Sequence, residues 1–364
     1  MRTHFAVKAV SFQILVAKGE NMFKAKQLGV AVAIALFSGA AMASNFRSAD
    51  QVYVPVAGHA SNASSTFVSD VFISNLTGDS VDVSVIYATG TNPQASNGSL
   101  QQFPKVITLL PNERRELPDF FVNTLHLSSG LGQLVFSACL AGADCTPNPS
   151  TGLNSNYRDI SVESRIFSID LGGNPATSPT KGQLLSGIPW YNYVSEASFP
   201  VSLDKVFITG IRNTAQYRTN MGFVNGSQFS STTLTAKLFD GKTGALLDTS
   251  TVRLEPLGFV QFQVGTGNLF PKFTTAAAST NAYVTVEQGS TTKSSDADTN
   301  GCKDGCPAFL TYGSQVDNQT TDATTLEPQY LKRLTDAAQS CIYFPDQSQC
   351  KASATTHRAV KHQF

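Results

Sequence analysis

The stretch with the most specific spacing of chemically active residues is "DADTNGCKDGC", residues 296–306. It places carboxylate and amide oxygens at alternate positions, followed by a glycine and a pair of cysteines. A calcium-binding loop needs this order, because alternate oxygens turn inward around the ion and glycine accepts the tight backbone turn. The predicted calcium ligands are the side chains of Asp296, Asp298 and Asn300, the backbone carbonyl of Cys302 and, through a water molecule, Asp304.

The loop departs from a complete hand-type calcium site at its end. Pro307 stands where such a loop carries a glutamate that binds through both oxygens. The stretch is similar to the Asp-rich calcium repeats of thrombospondin type 3 modules, and this resemblance is confined to the one loop. It implies a type of site rather than a family. The simpler interpretation, a solvated loop tip closed by a disulfide, stays open beside it.

The 6 cysteines form three pairs that are close in sequence. An even number of cysteines in an exported chain is typical of disulfides, and the short separations favour pairing within each couple. A zinc half-site is the weaker interpretation, because no second Cys or His pair accompanies the loop at 296–306. The predicted disulfides join Cys139 to Cys145, Cys302 to Cys306 and Cys341 to Cys350.

The sequence contains little else that supports catalysis. It has no G-x-S-x-G nucleophile turn, no H-E-x-x-H pair and no phosphate-binding glycine loop. His59 lies in the serine-rich stretch "VAGHASNASS", which leaves a Ser and His pair open, although a solvated histidine is the simpler interpretation. The charged run "ERRE", residues 113–116, suits anion recognition or, more simply, mutual neutralisation along an exposed strand. We therefore predict that the protein is not an enzyme.

The overall charge argues against nucleic acid as a partner. Charged residues make up 14% of the chain, Lys+Arg and Asp+Glu both number 26, and the sequence pI is about 6.9. Binding to phosphate backbones needs clustered Lys and Arg that displace counterions. We expect no nucleic-acid binding.

Residues 22–43 have the three-part layout of a secretory signal. Two lysines precede an apolar run from Leu28 to Phe37, and a small-residue site ends at Ala43. We predict translation from Met22 and cleavage after Ala43, so that residues 1–43 are upstream residues and signal peptide. The apolar run is too short for a permanent transmembrane helix. We expect a bacterial protein that is secreted or on the cell surface, with no transmembrane segment after cleavage.

Short runs of alternating apolar and polar residues recur along the rest of the chain, separated by Gly, Asn, Asp and Pro. Many short strands with regular turn signals indicate antiparallel sandwiches. The predicted fold is all-β, with two tandem antiparallel β-sandwich domains of immunoglobulin-like type. Their predicted bounds are 50–170 and 204–325, with an interdomain segment at 171–203 and a tail at 326–364 that carries a short helix and a disulfide loop.

The order of these runs repeats, which indicates a tandem duplication. The alignment places Asp70 opposite Asn220, Asn75 opposite Asn225, Pro111 opposite Pro256 and Ser164 opposite Ser314. It also places the first two cysteine pairs between the last two strands of each copy. The tail has a different period: Leu331, Leu334 and Ala338 have helical spacing, and Pro328 suits a first helical turn.

The interdomain segment is rich in Gly and Pro and contains the single tryptophan of the chain. We expect Ile188, Trp190, Tyr191 and Tyr193 to wedge between the two domains, because large aromatic side chains usually pack in cores and interfaces. The alternative is that Trp190, Tyr191 and Tyr193 bind a ligand by stacking on a sugar.

Four stretches carry a resemblance at family level: "VYVPVAGHASNASSTFVSDVFISN", "GQLLSGIP", "YRTNMGFVN" and "YGSQVDNQTTD". With them the chain resembles a group of exported bacterial tandem β-sandwich proteins without an assigned function, over residues 52–325. The resemblance includes no catalytic motif and implies a surface or secreted role. We expect a non-enzymatic protein of adhesion, matrix or filaments that contacts other proteins or itself, with a carbohydrate-binding module as the alternative.

Overall fold

The structure is a computed structural model, and the residues that it describes belong to one compact unit, Phe46–Phe364. Strands hold 66% of the described residues and helices 2%, which confirms the predicted all-β class. Among the described residues, no helix is long and apolar enough to cross a membrane. The described residues are 48–89, 99–146, 154–173, 180–189, 194–195, 203–225, 230–256, 258–265, 267, 269–274, 281–293 and 308–332.

The first half of this unit is built from antiparallel strands in two layers. The strands are β1 (Gln51–Ser61), β2 (Ser65–Asn75), β3 (Val81–Thr89), β4 (Ser99–Leu109), β5 (Arg114–Leu117), β6 (Gly130–Leu140), β7 (Ile160–Asp170), β8 (Lys181–Ser186) and β9 (Ile188–Pro189). One layer has the order β4-β3-β6-β1, with β9 on β1, and the other layer contains β5, β2, β7 and β8. Strand β1 links the layers, because its last residues pair with β2.

The second half has the same two-layer construction. Its strands are β10 (Val194–Ser195), β11 (Leu203–Ile211), β12 (Tyr217–Asn225), β13 (Ser230–Asp240), β14 (Leu246–Leu254), β15 (Phe259–Gln263), β16 (Ala282–Lys293), β17 (Ala308–Asp317), β18 (Ala323–Leu326) and β19 (Gln329–Lys332). One sheet has the order β10-β17-β12-β15, with β18 on β17. The other has the order β14-β13-β16-β11-β19.

The pairing scheme of the first half recurs in the second. The pairs β1–β6, β3–β6, β3–β4, β2–β5, β2–β7, β7–β8 and β1–β9 correspond to β11–β16, β13–β16, β13–β14, β12–β15, β12–β17, β17–β18 and β11–β19. Both first strands are also irregular at the same place, between Val54 and Ala57 in β1 and between Thr209 and Ile211 in β11. This agreement supports the predicted duplication.

Alternating side chains explain why these segments form layers with a core between them. In β3, Val81, Val83 and Val85 are buried, whereas the polar residues between them are partly exposed. Successive side chains of a strand point to opposite faces, so one face of β3 joins the core of the first half. Burial of each valine stabilises the fold by about 1.5–3 kcal/mol.

A third apolar cluster joins the two halves. It contains Tyr53, Val56, Val135, Leu185 and Ile188 from the first half, and Val224, Phe259, Leu310 and Tyr312 from the second. Ile188 therefore lies between the halves, as the sequence predicted for this residue. Hydrogen bonds cross the same junction from Ser314 Oγ to Gln183 Oε1 and from Ser186 Oγ to Glu327 Oε1, each at 2.7 Å, and from Thr325 Oγ1 to the Leu184 carbonyl.

The helix predicted for the tail is wrong at its beginning. Gln329–Lys332 form the strand β19, which pairs with β11. Spacing of three and four over a few residues is a weak signal, and a sheet edge that offers backbone partners overrides it. The predicted interdomain segment also contains strands of the first half, β8 and β9, and the division into two domains stays a prediction.

Candidate functional site

The histidine that stands out in the sequence lies beside a π-helical turn, Phe120–Thr124. His59 Nδ1 donates a hydrogen bond to Asp119 Oδ1 at 3.0 Å, and the two side chains are 22% and 16% exposed. Asp119 directly precedes the turn and has a left-handed backbone (φ 41°), a conformation that aspartate tolerates better than most residues. The pair therefore joins β1 to a loop 60 residues further along the chain.

A second carboxylate, that of Asp70 on β2, holds the same loop. Asp70 Oδ1 accepts the backbone N–H of Asp119 at 2.9 Å, and Asp70 Oδ2 lies 4.0 Å from Arg165 Nη1. The Arg165 guanidinium lies over the Phe167 ring, 4.5 Å from its centre, and donates to Thr180 Oγ1 at 2.5 Å. Polar contacts thus run continuously across β1, β2 and β7.

Burial is the main influence on the Asp70 carboxyl group, and it raises the pKa of Asp70. The carboxylates of Glu116 and Asp119 act in the same direction, because like charges disfavour ionisation. The Asp119 N–H and the Arg165 charge oppose the rise and do not cancel it.

Asp82 on β3 shows the opposite balance and anchors a loop. Its Oδ1 accepts hydrogen bonds from Thr108 Oγ1 at 2.6 Å and Lys105 Nζ at 2.8 Å, and its Oδ2 accepts the N–H of Gly142 at 3.1 Å. Burial alone would raise the pKa of Asp82, but these hydrogen bonds and the Lys105 charge outweigh burial and lower it.

We predict opposite pH dependences for Asp70→Asn and Asp82→Asn. A raised folded-state pKa means that Asp70 contributes stability at low pH and loses it as pH rises through that pKa, whereas Asp82 contributes stability above its unfolded pKa and loses it as pH falls. As pH rises above 3.8, the ordinary pKa of aspartate, Asp70→Asn should therefore gain stability relative to the wild type. Asp82→Asn should be less stable than the wild type above pH 3.8, and this deficit should shrink as pH falls below that value.

Urea unfolding of both variants across this pH range measures the effect, and each variant serves as the control for the other. Parallel curves for the two variants would contradict the assignment of the two carboxyl environments.

The described residues place no further group for hydrolysis beside the pair of His59 and Asp119. Within the described residues, no serine hydroxyl hydrogen-bonds to His59, whose partner is Asp119. Catalysis by a histidine requires a nucleophile or substrate within hydrogen-bond reach of the ring. Among the described parts of the chain, no group of three or more His, Cys, Asp or Glu side chains is arranged to hold a metal ion. The geometry fits a structural tie between β1 and the turn.

The charged run at 113–116 is paired internally and with a carboxylate on β7, the strand on the other side of β2. Arg115 forms an ion pair with Glu113, and Arg114 Nη2 lies 3.1 Å from Glu163 Oε2. The Arg114 guanidinium also lies 5.2 Å from the centre of the Phe72 ring. These contacts agree with the predicted mutual neutralisation along this strand.

The disulfide between Cys139 and Cys145 is confirmed, with 6.2 Å between the Cα atoms. It closes the loop that contains Gly142, so the disulfide and Asp82 fix the same segment between β6 and β7. The other predicted site residues lie outside the described residues. They are Cys302, Cys306, Cys341 and Cys350, the calcium ligands Asp296, Asp298, Asn300 and Asp304, and the aromatic residues Trp190, Tyr191 and Tyr193.

An aromatic row lies on the second half, on the face of the sheet that points away from the core. The ring centres of Phe239 and Tyr283 are 5.1 Å apart with an interplanar angle of 11°, and those of Tyr283 and Phe207 are 6.4 Å apart at 27°. All three side chains are half-buried. Leu246, opposite Phe239 on β14, extends the row and is 55% exposed.

Sequence reasoning missed this row because its members are far apart in the chain. Phe239 lies next to the end of β13, Tyr283 is the second residue of β16 and Phe207 lies in the middle of β11, so only the pairing of three strands brings them together. A weak signal was present in the sequence. Each aromatic residue stands at a position where the alternation of its strand calls for a polar side chain, directly next to a core residue: Leu238, Val284 or Ile208.

The sequence matches no protein-family model and no curated protein. Among solved structures, the chain is similar to β-glucuronidase 2 of Bacteroides uniformis covalently bound to cyclophellitol-6-carboxylate aziridine. The match covers 73% of this chain and 26% of that chain, with 10% identity and a TM-score of 0.15. It is also similar to broad bean stain virus, with 11% identity over 75% of this chain and 89% of that chain and a TM-score of 0.23. The chain spans about a quarter of the length of the glucuronidase. Similarity at this level carries no information about function.

Proposed function

We propose that the protein is an exported, non-enzymatic β-sandwich protein that acts in cell-surface adhesion, extracellular matrix or filament structure through contacts with other proteins or with copies of itself. The observation that carries this proposal is the junction between the halves. An apolar cluster and three side-chain hydrogen bonds hold the two sandwiches together. A protein that transmits force between its partners needs its own parts to stay joined, and this junction joins the two halves.

Two equivalent sheet edges support the proposed contacts with other chains. Within the described residues, β4 and β14 end their sheets, and they occupy the same position in the repeated pairing scheme. An edge strand presents backbone N–H and C=O groups to which another chain can add a strand.

The disulfide between Cys139 and Cys145 supports export, because disulfides persist in oxidising compartments. Fractionation of the native bacterium, followed by immunogold electron microscopy, tests the proposal. We expect the protein at the cell surface or in extracellular structures. Recovery in the cytoplasm with Cys139 and Cys145 reduced would contradict it.

We also propose that the loop at 296–306 binds calcium weakly. Its oxygen spacing supports this site, and the missing final acid places the affinity near the millimolar end of the known range. Calorimetry on chelator-treated protein should give heat with millimolar calcium, and Asp298→Asn should reduce that heat. Absence of heat in the wild type would remove the site.

A second candidate function is carbohydrate binding, for which Trp190, Tyr191 and Tyr193 are the ligand residues suggested by the sequence. The observation that favours a sugar ligand is the aromatic row on the second half.

A further inference from the structure

The outer face of the sheet β14-β13-β16-β11 carries chemistry that the proposed protein contacts do not use. Val284 and Val286 of β16 pack in the core, so the alternate residues Tyr283, Thr285 and Glu287 face outward. The same alternation turns Phe207 of β11 and Lys237 of β13 to this outer face. Aromatic, hydroxyl and charged side chains therefore meet on one surface.

The apolar part of this surface is a strip. Leu246, Phe239 and Tyr283 lie side by side across three neighbouring strands, and Phe207 continues the strip diagonally. The next row along the strands contains Lys237 and Thr285, which are direct partners in the ladder. A narrow strip that is bordered by polar side chains fits a linear ligand better than it fits the broad apolar core of a stable protein interface.

Thr285 gives independent evidence of an absent polar partner. Its side chain lies between Phe207 and Lys237 in the ladder and is 3% exposed, yet its Oγ1 has no hydrogen-bond partner. A buried hydroxyl without a partner is costly, and such groups commonly mark a position where a ligand or water binds.

Two opposite charges beside the strip, those of Lys237 and Glu287, form an ion pair. Lys237 Nζ lies 3.4 Å from Glu287 Oε1, and the two side chains are 34% and 26% exposed. The ion pair adds no net charge beside the strip, and its polar atoms supply hydrogen-bond donors and acceptors there. These properties match a ligand that is uncharged, has apolar C–H surfaces and carries many hydroxyl groups.

We propose that this face of the second half binds a neutral glycan chain, with its C–H surfaces against the aromatic strip and its hydroxyl groups against Thr285, Lys237 and Glu287. This site is separate from the segment at 190–193. It also does not depend on the proposed adhesion or filament role, because loss of glycan binding leaves the strand edges β4 and β14 unchanged.

Affinity electrophoresis of the exported protein in gels that contain cellulose derivatives, amylose, mannan or glycol chitin tests the proposal. We expect at least one of these polysaccharides to retard the wild type. Tyr283→Ala and Phe239→Ala should weaken binding at least about 10-fold, because each removes a ring of the strip. Thr285→Val should weaken it less, about 3- to 10-fold, since it removes one hydroxyl and keeps the shape. Phe67→Ala, which removes a 37% exposed ring from the first half, is the matched control and should bind like the wild type.

Three outcomes would overturn the proposal. The wild type could bind none of the polysaccharides. Binding could be lost in Trp190→Ala and retained in Tyr283→Ala, which would place the sugar at the segment 190–193. Sedimentation could reveal a dimer that Tyr283→Ala dissociates, which would assign the strip to self-association. None of these results bears on whether the protein is found at the cell surface, which fractionation tests separately.

Discussion

Tyr312→Ala should lower the free energy of unfolding by about 3–5 kcal/mol, the cost of removing a large, fully buried side chain. Tyr312 is 1% exposed and belongs to the cluster that joins the halves. Its ring packs so closely on Gly222 that a Cβ atom added there would lie 2.1 Å from Tyr312 Cε1. Its hydroxyl donates to Gln261 Oε1 at 2.8 Å. Both the ring and the hydroxyl of Tyr312 therefore make contacts that stabilise the fold.

The matched variant Tyr312→Phe separates these two contributions. It keeps the ring and removes one hydrogen bond, so it should cost only about 1 kcal/mol. Guanidinium unfolding, followed by circular dichroism and fluorescence, measures both variants. We also expect Tyr312→Ala to split a single transition into two, because the halves then lose their main apolar contact. A cost for Tyr312→Ala no larger than that of Tyr312→Phe would show that the cluster does not hold the halves together.

The alternation of apolar and polar residues was enough to locate the central strands. The alternating stretch "VDVSVIYA" (81–88) lies in β3 (Val81–Thr89), and "ISVESRIFS" (160–168) lies in β7 (Ile160–Asp170). In both strands a buried face repeats every second residue, and this period is a property of the local sequence. The predicted sandwich fold follows from these strands.

The short peripheral strands could not be predicted in the same way. The segments that form β8 and β19 have no clear alternation, and they are strands because β7 and β11 offer backbone partners. Information about such a partner lies elsewhere in the chain. For this reason the local sequence predicts a helix in the tail and a connection at 171–203.

The proposed repeat alignment was wrong by one residue in its last strand. Asp70 pairs with Arg165, whereas its counterpart Asn220 pairs with Ser314. Ser164 is fully buried, whereas Ser314 lies in the junction and bonds to Gln183. A shift of one residue turns a side chain to the other face of a sheet. Similar polar residues in both strands hide such a shift from sequence comparison.

The candidate site was only half visible in the sequence. His59 attracted attention because of its serine neighbours, but its partner Asp119 is 60 residues away in a turn with no recognisable motif. Asp70 gives a stronger sequence signal, because its carboxylate interrupts an apolar strand. In the folded chain, Asp70 is 8% exposed. Such pairs are fixed by strand order, which local patterns do not specify.

Two asparagines that the repeat aligns, Asn75 and Asn225, have the same structural task. Asn75 Nδ2 donates to the carbonyls of Asp79 at 2.7 Å and Leu110 at 2.8 Å. Asn225 Nδ2 donates to the Glu255 carbonyl at 3.0 Å. Each asparagine is 1% exposed and ties the end of its strand to the turn that begins with the aligned prolines.

Asn75→Ala should therefore lower the free energy of unfolding by about 3 kcal/mol, because it removes the hydrogen bonds that the buried Asn75 amide donates to the carbonyls of Asp79 and Leu110. It also removes the acceptor for the N–H and hydroxyl of Thr77, at 3.0 and 2.8 Å. The effect of Asn225→Ala should have the same sign. Urea unfolding measures both, and Asn62→Ala is the control, since Asn62 is exposed and its Oδ1 accepts the N–H groups of Ser64 and Ser65.

Asn75→Asp tests whether donation or shape is responsible. Aspartate has nearly the same shape, but its carboxylate cannot donate to the carbonyls of Asp79 and Leu110 and would repel them. We expect Asn75→Asp to be at least as destabilising as Asn75→Ala, and Asn62→Ala to cost less than about 1 kcal/mol. If Asn75→Asp were as stable as the wild type, the amide would be dispensable. The equivalent positions of Asn75 and Asn225 would then reflect common ancestry of the two halves and not a shared hydrogen-bonding requirement.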